Sequence, residues 1–231
     1  MRSPSALLVC SVLSALAGPA FAIDPSPEDT VPLSLKKGPT GESLTATDLK
    51  ALKKMDVLWA LIEIPDNPVK KGVAIAVIDA PPAKVFATLG DYENIKDFMP
   101  YVAKTVVDER APPVTTVSFW LEFPLGLSGR NYQLKLTDVS REIDGVQCHV
   151  SEWVYTGKGN IIDTTGGWEI CPWGKEQSLA RYTVFTDPGG SFPTWIKNKA
   201  AGTALPKVLE AVRTRVKSPQ ARAVPTATPA P

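Results

Sequence analysis

Residues 186–199 read TDPGGSFPTWIKNK. The run before them, ARYTVF at 180–185, reads as a strand, and a long helical pattern starts after Pro193. Asp187-Pro188-Gly189-Gly190 between the two is a sharp reversal, because proline presets one turn residue and glycine accepts positive φ. In PTWIKNKAAGTALPKVLEAVRTRVK (193–217), Trp195, Asn198, Gly202, Leu205, Leu209, Val212 and Val216 recur on one face. About 25 residues make roughly 37 Å of helix, enough to cross a sheet. Pro206 within it is expected to bend the helix or loosen one turn.

That inward face is uneven. Leu205, Leu209, Val212 and Val216 fill a core, whereas Asn198, Ala201, Gly202 and Thr203 fill little space. Either volume is left for a guest beneath the first half of the helix, or small residues let helix and sheet approach closely. The pattern alone leaves both open.

Upstream, TATDLKALKKM (45–55) is a short helix with a Thr available as N-cap. VLWALIEI and GVAIAVIDA read as strands around the turn PDNPVKKG. PPAKVFATLGDYENIKDFMP (81–100) holds two short helices broken at Gly90. Strand-like runs follow near 102–110, 114–123, 130–139, 146–155, 161–171 and 178–187, with connections short enough for antiparallel neighbours. The class is α+β: a curved antiparallel sheet wrapped around a long C-terminal helix, with two short helices between early strands. Residues 23–44 are expected to be an exposed lead-in, 45–217 the domain, and 218–231 a disordered Pro/Ala-rich tail.

The 231-residue chain is 44% hydrophobic and 21% charged, with a formal net charge of +1. A near-neutral chain with scattered lysine pairs lacks the electrostatic footprint of a nucleic-acid binder. MRSPSALLVCSVLSALAGPAFA has one positive charge, an apolar run too short to span a bilayer, and a small-x-small ending. A signal peptide over 1–22, cleaved after Ala22, is expected, which places the mature protein in the periplasm or outside the cell. Cys148 and Cys171 then meet an oxidising compartment. If the hairpin between VQCHVSEWVY and GGWEICPW folds about 159–160, they lie opposite each other at a spacing compatible with a disulfide. The competing reading is two buried thiols.

Several motifs in order resemble the START (steroidogenic acute regulatory protein-related lipid-transfer) family within the helix-grip, Bet v 1-like group. They are Ala80-Pro81 with Val85-Phe86 and Leu89-Gly90-Asp91; Gly129-Arg130-Asn131-Tyr132; Gly167-Trp168-Glu169-Ile170 with Pro172; and Asp187 to Ile196 with Asn198. The resemblance covers about residues 46–217, and Asn131 stands where the family usually has Asp. It implies a deep cavity between sheet and helix holding one lipid or sterol-like molecule, for transport or sequestration, and so favours the guest reading.

His149 is the single histidine and has no nucleophile motif beside it; Gly126-Leu127-Ser128-Gly129 is not a nucleophile elbow. No catalytic set, metal site or cofactor is expected. Val117, Phe119, Leu121 and Phe123 share one strand face, and Arg130, Tyr132, Leu134 and Leu136 share another. Arg130 on an apolar face needs a partner, such as Glu122, Glu109 or a ligand group, unless it ends its strand in water. Trp153, Trp168 and Tyr182 are wall or plain core. The candidate ligand-binding set is Phe119, Leu121, Arg130, Tyr132, Trp153, Trp168, Tyr182, Asn198, Gly202 and Thr203. A monomer is expected, whose Trp195 and Ile196 touch a membrane surface transiently with Lys197 and Lys199 facing headgroups. The competing function is a helix-grip cyclase or hydrolase.

Overall fold

A reciprocal cap starts the first helix: the Asp48 amide donates to Thr45 Oγ1 (3.2 Å) and the Thr45 amide to Asp48 Oδ2 (2.8 Å). In the computed structural model, which describes residues 26–123, 128–190 and 193–220, this helix is α1 (Ala46–Lys53). β1 (Leu58–Ile64) and β2 (Asn67–Ile78) pair through to Ile64 opposite Asn67, so residues 67–71, expected as turn, are strand. The reversal is left to Pro65 and Asp66, the latter at φ 58°. α2 (Pro82–Leu89) starts on proline, which sacrifices no helical hydrogen bond there, and ends at Gly90. The second helix expected before Pro100 is only a 3-10 turn, Ile95–Asp97. β3 (Val102–Ala111), β4 (Val114–Leu121), β5 (Arg130–Ile143), β6 (Val146–Gly159), β7 (Asp163–Trp173) and β8 (Gln177–Asp187) follow. α3 (Thr194–Lys217) closes the chain over 24 residues and runs through Pro206.

The strand order is β1-β2-β8-β7-β6-β5-β4-β3, with every pair antiparallel. From β2 the chain crosses by α2 to the far edge, returns strand by strand, and sets β8 beside β2. The turn after β8 then sends α3 back over the sheet. Gly189 and Gly190, at φ 65° and 71°, supply the left-handed backbone this reversal needs.

The two faces of the sheet carry separate cores. On the concave face Ala74, Ala76, Ile78, Trp153, Trp168, Ile170 and Ala180 share one buried cluster with Leu205, Leu209, Val212 and Val216 of α3. Small β2 residues let the helix come close: a Cβ on Gly72 would lie 3.0 Å from Leu205 Cδ2. The nearest backbone approach of α3 is to β2, β1 and α2.

The convex face differs from expectation. Part of the supposed exposed lead-in is a strap: Val31 and Leu35 are 3% and 2% exposed and share a buried cluster with Leu52, Ile75, Val77, Trp173 and Leu179. Thr30 Oγ1 accepts from the Gly174 amide (2.8 Å), and Arg181 Nη2 donates to the Lys37 carbonyl (2.6 Å). The convex side of a half-covered sheet must bury its Ile and Val against something, and this segment supplies the cover. Cys148 and Cys171 lie beneath it, fully buried and joined in a disulfide with Cα atoms 4.5 Å apart, as the hairpin register required.

The expected leader at 1–22, residues 23–25, Pro124–Leu127, Ser191, Phe192 and the tail from 221 lie outside the described residues.

Candidate ligand-binding site

Inward-facing positions of β4 to β8 bring five aromatic residues of the candidate set onto one wall. Phe119 and Tyr132 stack with ring centres 5.7 Å apart; Tyr182 lies 4.4 Å from Trp168 and 6.0 Å from Trp153. Trp153 lies down on the sheet because its cross-strand partner is Gly166, where a Cβ would stand 2.4 Å from the indole. Leu121 is half-buried at the end of β4, opposite Arg130. Neither the Tyr132 nor the Tyr182 hydroxyl has a hydrogen-bond partner among the described residues, although each residue keeps part of its surface accessible. Burial pushes both phenol pKa values well above the ordinary value.

Asn198, Gly202 and Thr203 are not brought to this wall. Asn198 Oδ1 accepts from the Lys70 amide (3.1 Å) and its Nδ2 donates to the Pro68 carbonyl (3.3 Å), so it clips α3 to β2. Gly202 rides on β1, where its Cβ would meet Trp59 at 3.2 Å. Thr203 is exposed and donates to the Lys199 carbonyl of its own helix (2.9 Å). The small residues of the first half of α3 therefore serve close approach to the β1–β2 hairpin. The reason is helix phase: the stripe meets the sheet edge, and Thr203 falls off it.

Arg130 is 8% exposed and bound to backbone. Its Nε donates to the Pro188 carbonyl (2.7 Å), and its Nη1 donates to the carbonyls of Ser128 (3.0 Å) and Gly129 (3.1 Å). Carbonyls of two loops are thus among its partners, and a planar fork of donors can join them at once. Arg130 thus clamps the turn that launches α3. Lys197 is also engaged: its ammonium donates to Asp187 Oδ1 (2.8 Å) with 12% side-chain exposure, so it does not face outward as expected.

One buried polar group went unread in the sequence. The Tyr92 hydroxyl donates to Asp138 Oδ2 (2.7 Å), and Asp138 pairs across β5–β6 with the buried Ser151. Burial, then the carboxylate, drives the Tyr92 pKa far up. Asp138 Oδ1 is buried without a partner among the described residues. Asp138 continues the two-residue period from Tyr132 through Leu134 and Leu136, which was the available signal. His149 stacks on Phe86 (4.8 Å), its Nδ1 lies 2.7 Å from Ser140 Oγ, and burial lowers its pKa, which keeps it neutral.

A sheet gripping one C-terminal helix, with an apolar inner wall, defines the α+β helix-grip fold. The chain belongs to the family described as polyketide cyclase / dehydrase and lipid transport, whose profile matches residues 72–218. It is similar in fold to a STAR-related lipid transfer protein fragment from Xanthomonas axonopodis: TM-score 0.63 and 18% identity, over 70% of this chain and 94% of that one. Human STARD10 gives TM-score 0.57 and 16% identity over 76% and 80% of the two chains. The lipid transfer and protein localization domain of human StarD13 gives 0.58 and 17% over 76% and 98%. No curated protein matches the sequence.

Proposed function

We propose that the protein is exported and holds one small hydrophobic molecule between α3 and the aromatic wall, for transport or sequestration, without transforming it. The observation that carries this is the asymmetry of the inner space. α3 lies closest to β1, β2 and α2, whereas the wall comes from β4 to β8 and includes two phenols whose hydroxyls have no hydrogen-bond partner among the described residues. Both residues stay partly accessible, so these hydroxyls are not sealed into a filled core. The buried disulfide supports an oxidising compartment. The competing reading, a cyclase, draws support from the family's description and from the orphaned Asp138 oxygen. Native mass spectrometry of gently purified protein distinguishes them. A lipid-sized adduct that is released intact on denaturation is the expected result. An adduct released at a changed mass favours the enzyme, and protein that neither carries nor takes up an apolar molecule has a filled core.

During ligand exchange, the turn after β8 touches a membrane surface. Trp195 and Ile162 flank that turn and are 66% and 65% exposed, and Gly189 packs against Ile162. Anionic vesicles are expected to blue-shift the emission of the protein, and Trp195→Phe to abolish most of the shift. An identical shift in both proteins, or none in either, removes the contact.

A further inference from the structure

We infer that the convex-face strap and the Cys148–Cys171 disulfide form one redox-responsive unit: a dithiol reductant reaches the bond only when residues 26–44 lift, and reduction in turn releases them. The disulfide sits where the sheet's own bonding stops. Pairing between β6 and β7 ends at His149 opposite Ile170, one residue short of the cysteines. Beyond that point, among the described residues, β6 pairs only with β5, from Cys148 opposite Arg141 to Val146 opposite Ile143. β7 pairs there only with β8, from Cys171 opposite Leu179 to Trp173 opposite Gln177. Two hairpin ends thus stand side by side, and the disulfide is the covalent link between them.

The strap is fastened to both hairpin ends. The Ser34 amide donates to Asp144 Oδ2 (2.9 Å) at the tip of β5–β6. On β7–β8 the Gly174 amide donates to Thr30 Oγ1 (2.8 Å), and Arg181 Nη2 donates to the Lys37 carbonyl (2.6 Å). Val31 and Leu35 share a buried cluster with both cysteines, neither of which has exposed surface. α1 joins that cover from the other side, approaching β1 and β2, whereas the turn Pro27–Thr30 approaches β7. A thiolate has to meet a sulfur atom directly, so the strap is the element that has to move. Attack on one Sγ expels the other as a thiolate, and the dithiol's second thiol then closes a cyclic disulfide. Two electrons and two protons pass to the cysteines. With the covalent link gone, the hairpin ends part, and the two sets of fastenings part with them. Docking of the strap and formation of the bond therefore favour each other.

The test measures two rates under native conditions, each beside hydrogen exchange of the amides at the centre of β8 as the readout of global opening. In the first arm, wild type and Leu35→Ser are reduced with dithiothreitol and followed by alkylation and mass. Leu35→Ser loosens a buried anchor of the strap and is expected to speed reduction at least about tenfold, with a far smaller change in β8 exchange. In the second arm, oxidised and reduced wild type are treated with trypsin, which cuts after Lys36 or Lys37 of the strap. Reduced protein is expected to be cut there at least about tenfold faster, while its β8 amides stay protected. Reduction no faster in Leu35→Ser, or equal cutting in both redox states, overturns the inference. In either arm, a rate that keeps step with β8 exchange reports global unfolding and overturns it as well.

Discussion

In Arg130→Met protein, amides 195–204 are expected to exchange about 30- to 100-fold faster than in wild type, while 208–216 change little. The expectation follows from where α3 is held. Its launch turn hangs on Arg130, which joins Pro188 to Ser128 and Gly129 by three bonds to carbonyls. Hydrogen bonds from a charged donor contribute about 1.5–3 kcal/mol each, and losing part of that at a hinge lowers the local opening energy by about 2–2.7 kcal/mol. The Lys197–Asp187 pair, the Asn198 clip and the packing of Gly202 on Trp59 then oppose lifting of the first half. The second half is anchored independently. Leu205, Leu209, Val212 and Val216 are buried, Arg213 donates to the Val77 carbonyl (2.9 and 2.8 Å), and Arg215 and Lys217 pair with Asp91 and Asp79. Pro206, lacking an amide proton, marks the join between the halves. The same gradient in wild type, with protection of 195–204 rising on addition of an apolar probe, identifies this half as the ligand gate. Uniform protection along α3, indifferent to Arg130 and to the probe, rules the gate out.

The Cys148→Ala/Cys171→Ala variant is expected to melt roughly 10 °C below wild type. The bridge closes a loop with sequence separation 23. On the chain-entropy model this constrains the unfolded state by about 3 kcal/mol, and each kcal/mol moves the midpoint of a domain this size by about 2–4 °C. Both cysteines are fully buried in the cluster containing Val31, Leu35 and Leu52, so truncation also leaves a void beneath the strap. Thermal scans of the variant and wild type read the difference. A midpoint within about 2 °C of wild type contradicts it, since that shift corresponds to at most about 1 kcal/mol. Thiol labelling under denaturing, non-reducing conditions should find neither cysteine reactive.

Elements and their order were legible because each rests on neighbours in the chain. Thr45 caps the helix beside it, Pro82 starts α2, alternating residues mark β4 and β5, and Pro188-Gly189-Gly190 reverses the chain before α3. The disulfide was legible too, because a hairpin's centre fixes which residues face each other, and 159–160 sets 148 against 171. Period two set Phe119 on one face of β4 and Tyr132 on one face of β5, and the β4–β5 register then brought the two rings together. What a side chain meets across the molecule was not legible. Helical spacing names a stripe but not the rotation of the helix about its axis, and packing against β1 and β2 decided that Gly202 meets Trp59 while Thr203 meets solvent. The strap over the convex face was hidden because Val31 and Leu35 sit among Pro, Ser and Thr, and their burial depends on a sheet completed over a hundred residues later. Arg130 shows the same limit. Its sequence demanded a partner for a buried charge, and only the meeting of residues 128–129 with the turn before α3 brought backbone carbonyls to it.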